Sequence, residues 1–224
     1  MKVRPHPCRR AKGRGKHRKR RARSPLPGMM IHQDGSTHLW VPGEYGDLIV
    51  TMDDATHEHY SMFFVDEEST SSSFRGIRDT IKRHGLFCSL YTDRGSHYWH
   101  TPEAGGKVDK RQLTQVGWAM KQLGIEMIPA YSPEARGRSE RAFSTHQGRL
   151  PRALALAGIT DMAAANCYLK EHYMPRFNEA FKREAPESGS AFVPLAGQAI
   201  DDMLCERFER VVGQDNGVPF SGMS

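Results

Sequence analysis

Three apolar runs in quick succession, followed by alternating helix and strand signals, restrict this 224-residue chain to a mixed α/β sheet. Met29 to Ile31 leads through Asp34 to Leu39, Trp40 and Val41, and reads as a first strand. Leu48, Ile49, Val50 and Met52 form a nearly continuous second strand ending at Asp53 and Asp54, and Tyr60 to Val65 a third. Asp-Ala-Thr-His-Glu between these two reads as a hairpin connection. The period then changes. Phe74, Ile77 and Ile81 recur at helical spacing on a segment opened by Glu67, Glu68 and Ser69 and closed by Lys82, Arg83, His84 and Gly85, charges that favour the helix dipole at both ends. Leu86 to Tyr91 is a fourth, buried strand. A helix with Leu113, Val116, Met120 and Leu123 on one face comes next, then a fifth strand from Ile125 to Ala130. From Pro133 onward the chain returns to helix, with breaks expected near Leu150-Pro151 and Gly158. This order is not the strict alternation of a doubly wound parallel sheet, and no phosphate-cradling or dinucleotide glycine pattern occurs.

Charge is segregated along the chain. Of 32 Lys and Arg, 12 lie between Met1 and Gly28, where there is no Asp or Glu, so the rest carries 20 basic against 26 acidic residues, a net of −6. The run RRAKGRGKHRKRRAR repels itself and has too little apolar surface to fold alone, so it is expected to be a disordered arm. Arg18, Lys19, Arg20 and Arg21 are candidates for phosphate-backbone contact that weakens steeply with salt, and a nuclear-localisation role fits the same residues. No stretch approaches the roughly 18 apolar residues a spanning helix needs, and the segment after Arg23 is too polar for a secretory signal. A soluble protein without a membrane partner is expected, located in the cytoplasm. Cys8, Cys88, Cys167 and Cys205 form no Cys-x-x-Cys pair, which argues against a zinc ribbon or a disulfide framework.

Three carboxylates stand out by position. Asp34 lies in IHQDGS on the first strand, Asp93 in LYTDRGS at the carboxyl end of the fourth, and Glu140 in AYSPEARGRSERAF at the start of the last long helix. Each has an ordinary alternative. Asp34-Gly35 is a favoured hairpin dipeptide, Asp93 suits a turn cap, and Glu140 can pair with Arg136 one helical turn earlier. Asp53 and Asp54 compete with Asp34 for the role of first acid. Around Glu140, Gly137 permits close backbone approach and Arg136, Arg138 and Arg141 offer guanidinium groups to phosphates. Ser96, His97 and Tyr98 come directly after Asp93 and could line the same mouth, with His97 a candidate general base. His57-Glu58-His59 invites a zinc reading but lacks a third ligand, so it reads as structural.

The series HQDGS, DLIVTMDDAT, CSLYTDRGSHY and MIPAYSPEARGRSERAF resembles the catalytic core of DDE transposases and retroviral-type integrases, most closely the ISNCY kind of bacterial insertion-sequence transposase. The resemblance spans roughly Pro25 to Ala180. It implies a ribonuclease-H-like fold: a mixed five-stranded sheet flanked by helices. It carries Asp34, Asp93 and Glu140 over as catalytic, metal-binding acids for two Mg²⁺ or Mn²⁺ ions. It also implies DNA cleavage and strand transfer on transposon ends and target DNA, a nucleoid-associated bacterial setting, and a homo-oligomer assembled on DNA. The chemistry suits these residue types, because two hard cations about 4 Å apart can activate the attacking oxygen and stabilise the leaving one, and carboxylates are their preferred protein ligands.

Several features depart from the family. Asp93 and Glu140 are separated by 46 residues, much of the excess lying in the glycine-rich Thr101 to Val108. No helix-turn-helix region is found before the basic arm. Phe208 to Val212 and Val218 to Phe220 flank Asp215-Asn216-Gly217, a hairpin signal that stops at Ser224. The expected organisation is a basic arm over 1–28, a catalytic core over 29–178, and a linker with an incomplete β segment over 179–224, together a truncated element. An inactive or domesticated fragment that binds DNA without sequence preference is the alternative reading, and a stand-alone ribonuclease-H-like nuclease is a third.

Overall fold

Alternating side chains zip the first third of the protein into an antiparallel three-stranded unit. The computed structural model describes residues 21–103, 106–131, 137–197 and 199–210. Arg18, Lys19, Arg20, Arg136 and the hairpin around Asn216 lie outside the described residues. Strand β1 (Ile31–Val41) turns at Pro42-Gly43 into β2 (Glu44–Asp53), which pairs with β3 (His59–Val65). Gly43 sits at φ 79, the conformation that position i+2 of a type II turn demands after proline. This turn starts β2 four residues before the apolar run that announces it, so β2 is longer than its hydrophobic signature.

Helix α1 (Thr70–His84) then crosses the sheet to β4 (Ser89–Thr92), and α2 (Gln115–Gln122) to β5 (Glu126–Pro129). Strands β1, β4 and β5 are mutually parallel, and the sheet order is β3-β2-β1-β4-β5. Helix α3 (Ser139–Leu156) is followed by α4 (Met162–Tyr168), a π-helical turn at Leu169–Tyr173, α5 (Met174–Phe181) and the short α6 (Ile200–Met203). Helices cover both faces. Phe74, Ile77, Ile81, Val116 and Met120 pack with Ile31 and Leu90 on one, while Phe143, Leu150, Leu154, Leu169 and Phe177 pack with Leu48, Val50 and Met52 on the other. The mixed five-stranded, ribonuclease-H-like sheet expected from the sequence is the fold observed.

Three local expectations are corrected. Glu67 and Glu68 do not open α1. Ser69 is the N-cap and exchanges hydrogen bonds with Ser72 in a capping box, so the first turn holds no acid. Leu86 does not begin β4 but forms an isolated antiparallel bridge with Val193. Pro151 does not break α3, which runs through it. An interior proline costs about 3 kcal/mol, and full burial of Leu150 and Leu154, about 1.5–3 kcal/mol each, offsets it.

The edge strand β3 has an unusual finish. Asn178 accepts from the His59 N–H and donates to the His59 carbonyl, both at 2.8 Å. Asn166 does the same at Phe64, at 2.7 and 3.1 Å. Two carboxamides thus occupy backbone groups that face away from β2.

Candidate active site

Strand parity decides which side chains meet. In the parallel pair β1–β4, His32 is opposite Tyr91, and their rings lie 4.8 Å apart on one face. Two residues further along each chain come Asp34 and Asp93, so continuing the register brings both aspartates to the same level of adjacent chains and to the same face. That face is the one covered by α3. His32, Asp34, Val50 and Met52 line a narrow cleft with Ser139, Ala142 and Phe143. Asp34 is buried and Asp93 half-buried. Asp34 Oδ1 accepts from the Gly35 N–H at 3.1 Å, and Asp93 Oδ1 from the Gly95 N–H at 2.8 Å.

A glycine follows each aspartate closely, and Gly95 keeps space open beside Asp93. A Cβ on Gly95 would stand 3.1 Å from Asp93 Oδ1 and 2.9 Å from His97 Cε1. A Cβ on Gly35 would come within 2.5 Å of Glu68 Oε2. Gly35 and Asp34 project to opposite faces of β1, so Glu68 lies on the α1 side of the sheet, behind Asp34, although its place in the sequence suggests only service to the helix dipole. Its Oε1 lies 3.3 Å from His97 Nε2, an ion-pair distance without hydrogen-bond geometry, and 3.4 Å from the Tyr98 hydroxyl. Tyr98 is buried and donates to Gln33 Oε1 at 2.9 Å. Burial, then the negative field of Glu68, and also that of Asp34 and Asp93, push its phenol well above the ordinary range. No sequence signal marks Glu68, because its position depends on how the capping box aims the chain into α1.

Glu140 is exposed in the first turn of α3. Two turns later, Gln147 donates to the Ser36 hydroxyl at 3.0 Å, so the stripe of α3 that carries Glu140 at its start touches β1 just beyond Asp34. Among the described residues no three or more His, Cys, Asp or Glu stand together in a metal-holding arrangement. Asp34 and Asp93 each come two residues after the last β1–β4 pair, and Glu140 starts the helix that touches β1 just beyond Asp34.

Asp53 and Asp54 have other partners. Asp53 accepts from Thr56 N and Oγ1 and from Gly28 N, which closes the turn between β2 and β3. Burial is the largest influence on it and raises its proton affinity. Asp54 has a fully buried side chain and receives Arg21 Nη2 at 2.7 Å, Ser24 N at 2.8 Å, Ser24 Oγ at 2.9 Å, His32 Nε2 at 2.7 Å, and Arg138. Burial works to raise its pKa, but the hydrogen bond and charge of His32, the Ser24 N–H and Arg138 hold it far below the usual carboxylate range. Two candidate DNA contacts, the exposed Arg21 and the largely buried Arg138, are thereby paired with Asp54. Arg138 is 12% exposed and also donates to the carbonyls of Arg21 and Ala22. Arg141 is exposed, with its Nε on the Gly137 carbonyl.

The His57–His59 pair gains a neighbour invisible in sequence. His146 of α3 places Nε2 3.0 Å from His59 Nε2, and its Nδ1 faces the Tyr173 hydroxyl at 3.1 Å. His59 Nδ1 faces the His57 carbonyl at 3.2 Å, so it carries the proton, and the donor order then runs from Tyr173 through His146 to His59. Burial lowers the proton affinity of all three rings, to about 4 for His57 and about 3 for His146. They form a neutral packing network, in keeping with the structural role expected of the pair.

No family model matches the chain. It is 34% identical over 200 residues to a protein of Sinorhizobium fredii named as a transposase, y4bF, covering 86% of this chain and 42% of that protein. It is 28% identical over 200 residues to the transposase for insertion sequence IS1202 of Streptococcus pneumoniae, covering 89% of this chain and 43% of that one. The chain thus spans less than half the length of these relatives. Among solved structures, a chain of the simian T-cell lymphotropic virus intasome superposes with a TM-score of 0.55 at 17% identity, over 74% of this chain and 56% of that chain. No helix is long and apolar enough to cross a membrane among the described residues. By sequence the chain is similar, over less than half their length, to insertion-sequence transposases, and its fold is an integrase-like mixed five-stranded sheet flanked by helices.

Proposed function

We propose that the chain is the catalytic core of a transposase that cleaves DNA strands and joins them to a target, with Asp34 and Asp93 as its central acids and Glu140 as the third. The observation that supports this most is the placement of Asp34 and Asp93 two residues past the last β1–β4 pair, His32 with Tyr91, with Gly95 leaving space beside Asp93. Oxygen-only donors of this kind suit a hard divalent cation. Asp34, Asp93 and Glu140 would hold Mg²⁺ or Mn²⁺, which supplies an activated attacking oxygen and charge stabilisation of the leaving one. Arg141 beside Glu140 steers backbone phosphate toward the acids. Glu68, 3.3 Å from His97 Nε2 and 3.4 Å from the Tyr98 hydroxyl, braces the segment after Asp93 from the α1 side of the sheet. DNA is the partner, with copies of the chain assembling on it.

Asp34→Asn, Asp93→Asn and Glu140→Gln are each expected to abolish Mn²⁺-dependent nicking and strand transfer on short duplexes while the circular dichroism spectrum stays that of the wild type. Full activity in any one of them would sink the assignment of that acid. A second reading, a DNA-binding chain without catalysis, is favoured by the exposure of Glu140 away from the aspartates. Wild-type protein that binds duplex DNA but never nicks it in Mn²⁺ decides for this second reading.

A further inference from the structure

We propose that Arg23, Arg141 and Arg183, gathered around the turn between β2 and β3, form a seat for a DNA backbone phosphate, separate from Arg21 and Arg138, which pair with Asp54. This rests on the proposed DNA-processing function and gives it a specific contact. The turn is the scaffold. Asp53 closes it from within, which leaves the successive carbonyls of Asp54, Ala55 and Thr56 as acceptors. Arg23 Nη1 takes the first two, at 3.0 and 3.3 Å, and the backbone N–H of Arg183 takes the third at 2.8 Å. Arg138 on Asp54 pins the start of α3 to the same turn, and Arg141 lies one helical turn later.

Three acids of this region are already engaged, while Glu140 and Glu184 adjoin Arg141 and Arg183 in sequence without pairing with them among the described residues. Asp53 serves the turn, Asp54 serves Arg21, Arg138 and His32, and Glu58 pairs with Lys182 at 2.7 Å. Among the described residues, Arg23, Arg141 and Arg183 have no carboxylate within ion-pair distance, and Arg141 and Arg183 are exposed. Their mutual proximity is felt by the neighbours. Burial and then Arg23, Arg183 and Arg141 lower the proton affinity of His57, which holds the turn at φ 66, and Arg138, Arg183 and Arg141 act on Arg23 in the same direction after burial. An uncompensated guanidinium cluster with fixed carbonyl anchors is matched by a phosphodiester oxygen pair, which accepts several charge-assisted hydrogen bonds at once. Its position next to Glu140 aligns a bound strand with the candidate acids.

The test measures binding of the full chain to a short duplex in EDTA across a salt series. Arg183→Gln and Arg23→Gln are each expected to reduce the slope of log affinity against log salt by about one, with Arg183→Lys restoring it and Arg75→Gln, on the opposite face over Phe63, leaving it unchanged. Arg183→Gln carries the decision, because its side chain bonds nothing else in the fold among the described residues. Wild-type affinity that ignores salt overturns the functional reading and this site together. A salt-dependent wild type with unaltered slopes in Arg23→Gln and Arg183→Gln overturns this site alone, whatever nicking shows for Asp34.

Discussion

Asp34 on β1 and Asp54 in the turn after β2 are both buried carboxylates, yet they are used differently. Asp54 sits among cations and donors, with Arg21, Ser24, His32 and Arg138 converging on two oxygens. Asp34 faces α3 beside Ser139, two residues past the last β1–β4 pair, His32 with Tyr91. One aspartate ties elements together; the other lies on the face that carries the candidate acids. Residue type and burial alone do not separate a structural acid from a chemical one. Their partners do.

The largest effect expected from this contrast is on stability. Asp54→Ala leaves Arg138 and Arg21 without their counter-charge and should lower unfolding free energy by about 3 kcal/mol or more, read from the urea midpoint. Asp34→Ala, at the candidate site, should change it by less than about 1 kcal/mol. Equal losses at the two positions would break the comparison.

A middle-sized effect concerns the histidine network between β3, α3 and α5. His59 and His146 are held neutral in the fold, with Tyr173, Phe177 and His57 around them. Their proton affinity is depressed from the ordinary 6.5, to about 3 for His146. The unfolded chain takes up these protons first as pH falls, so stability is intact above pH 6.5 and declines toward pH 4, by up to about 1.4 kcal/mol per pH unit for each ring. Thermal melts from pH 7 to pH 4 should show this fall, and His146→Phe should flatten it.

The smallest expected effect is local. Gly95→Ala forces His97 or the Asp93 carboxylate aside. It should weaken Mn²⁺ binding several-fold by titration calorimetry while costing less than about 1 kcal/mol of stability. Unchanged Mn²⁺ affinity would remove Asp93 from the metal site.

Distance along the chain separates the features that the residues announce from those they hide. The five strands and the acids at their ends are legible, because apolar period and strand ends are local signals. The early start of β2 is hidden, since Tyr45 and Gly46 look like turn residues and only pairing with Leu39 and His38 makes them strand. Pro151 misleads, because burial of Leu150 and Leu154 is a tertiary effect. Glu68, Asp54 and His146 acquire their roles from partners across the fold. His146 is 87 residues from His59, and Arg138 is 84 from Asp54. No local window contains such pairs.

The two asparagines on β3 bear on how copies of this protein can meet. A bare outer strand is a template on which a second chain can extend the sheet. Asn166 and Asn178 mimic that second chain at Phe64 and His59 with side chains of the same molecule. Pairing of a second strand at these two positions is blocked without a charge or a proline, so contact between copies is left to the helices or the far edge of the sheet.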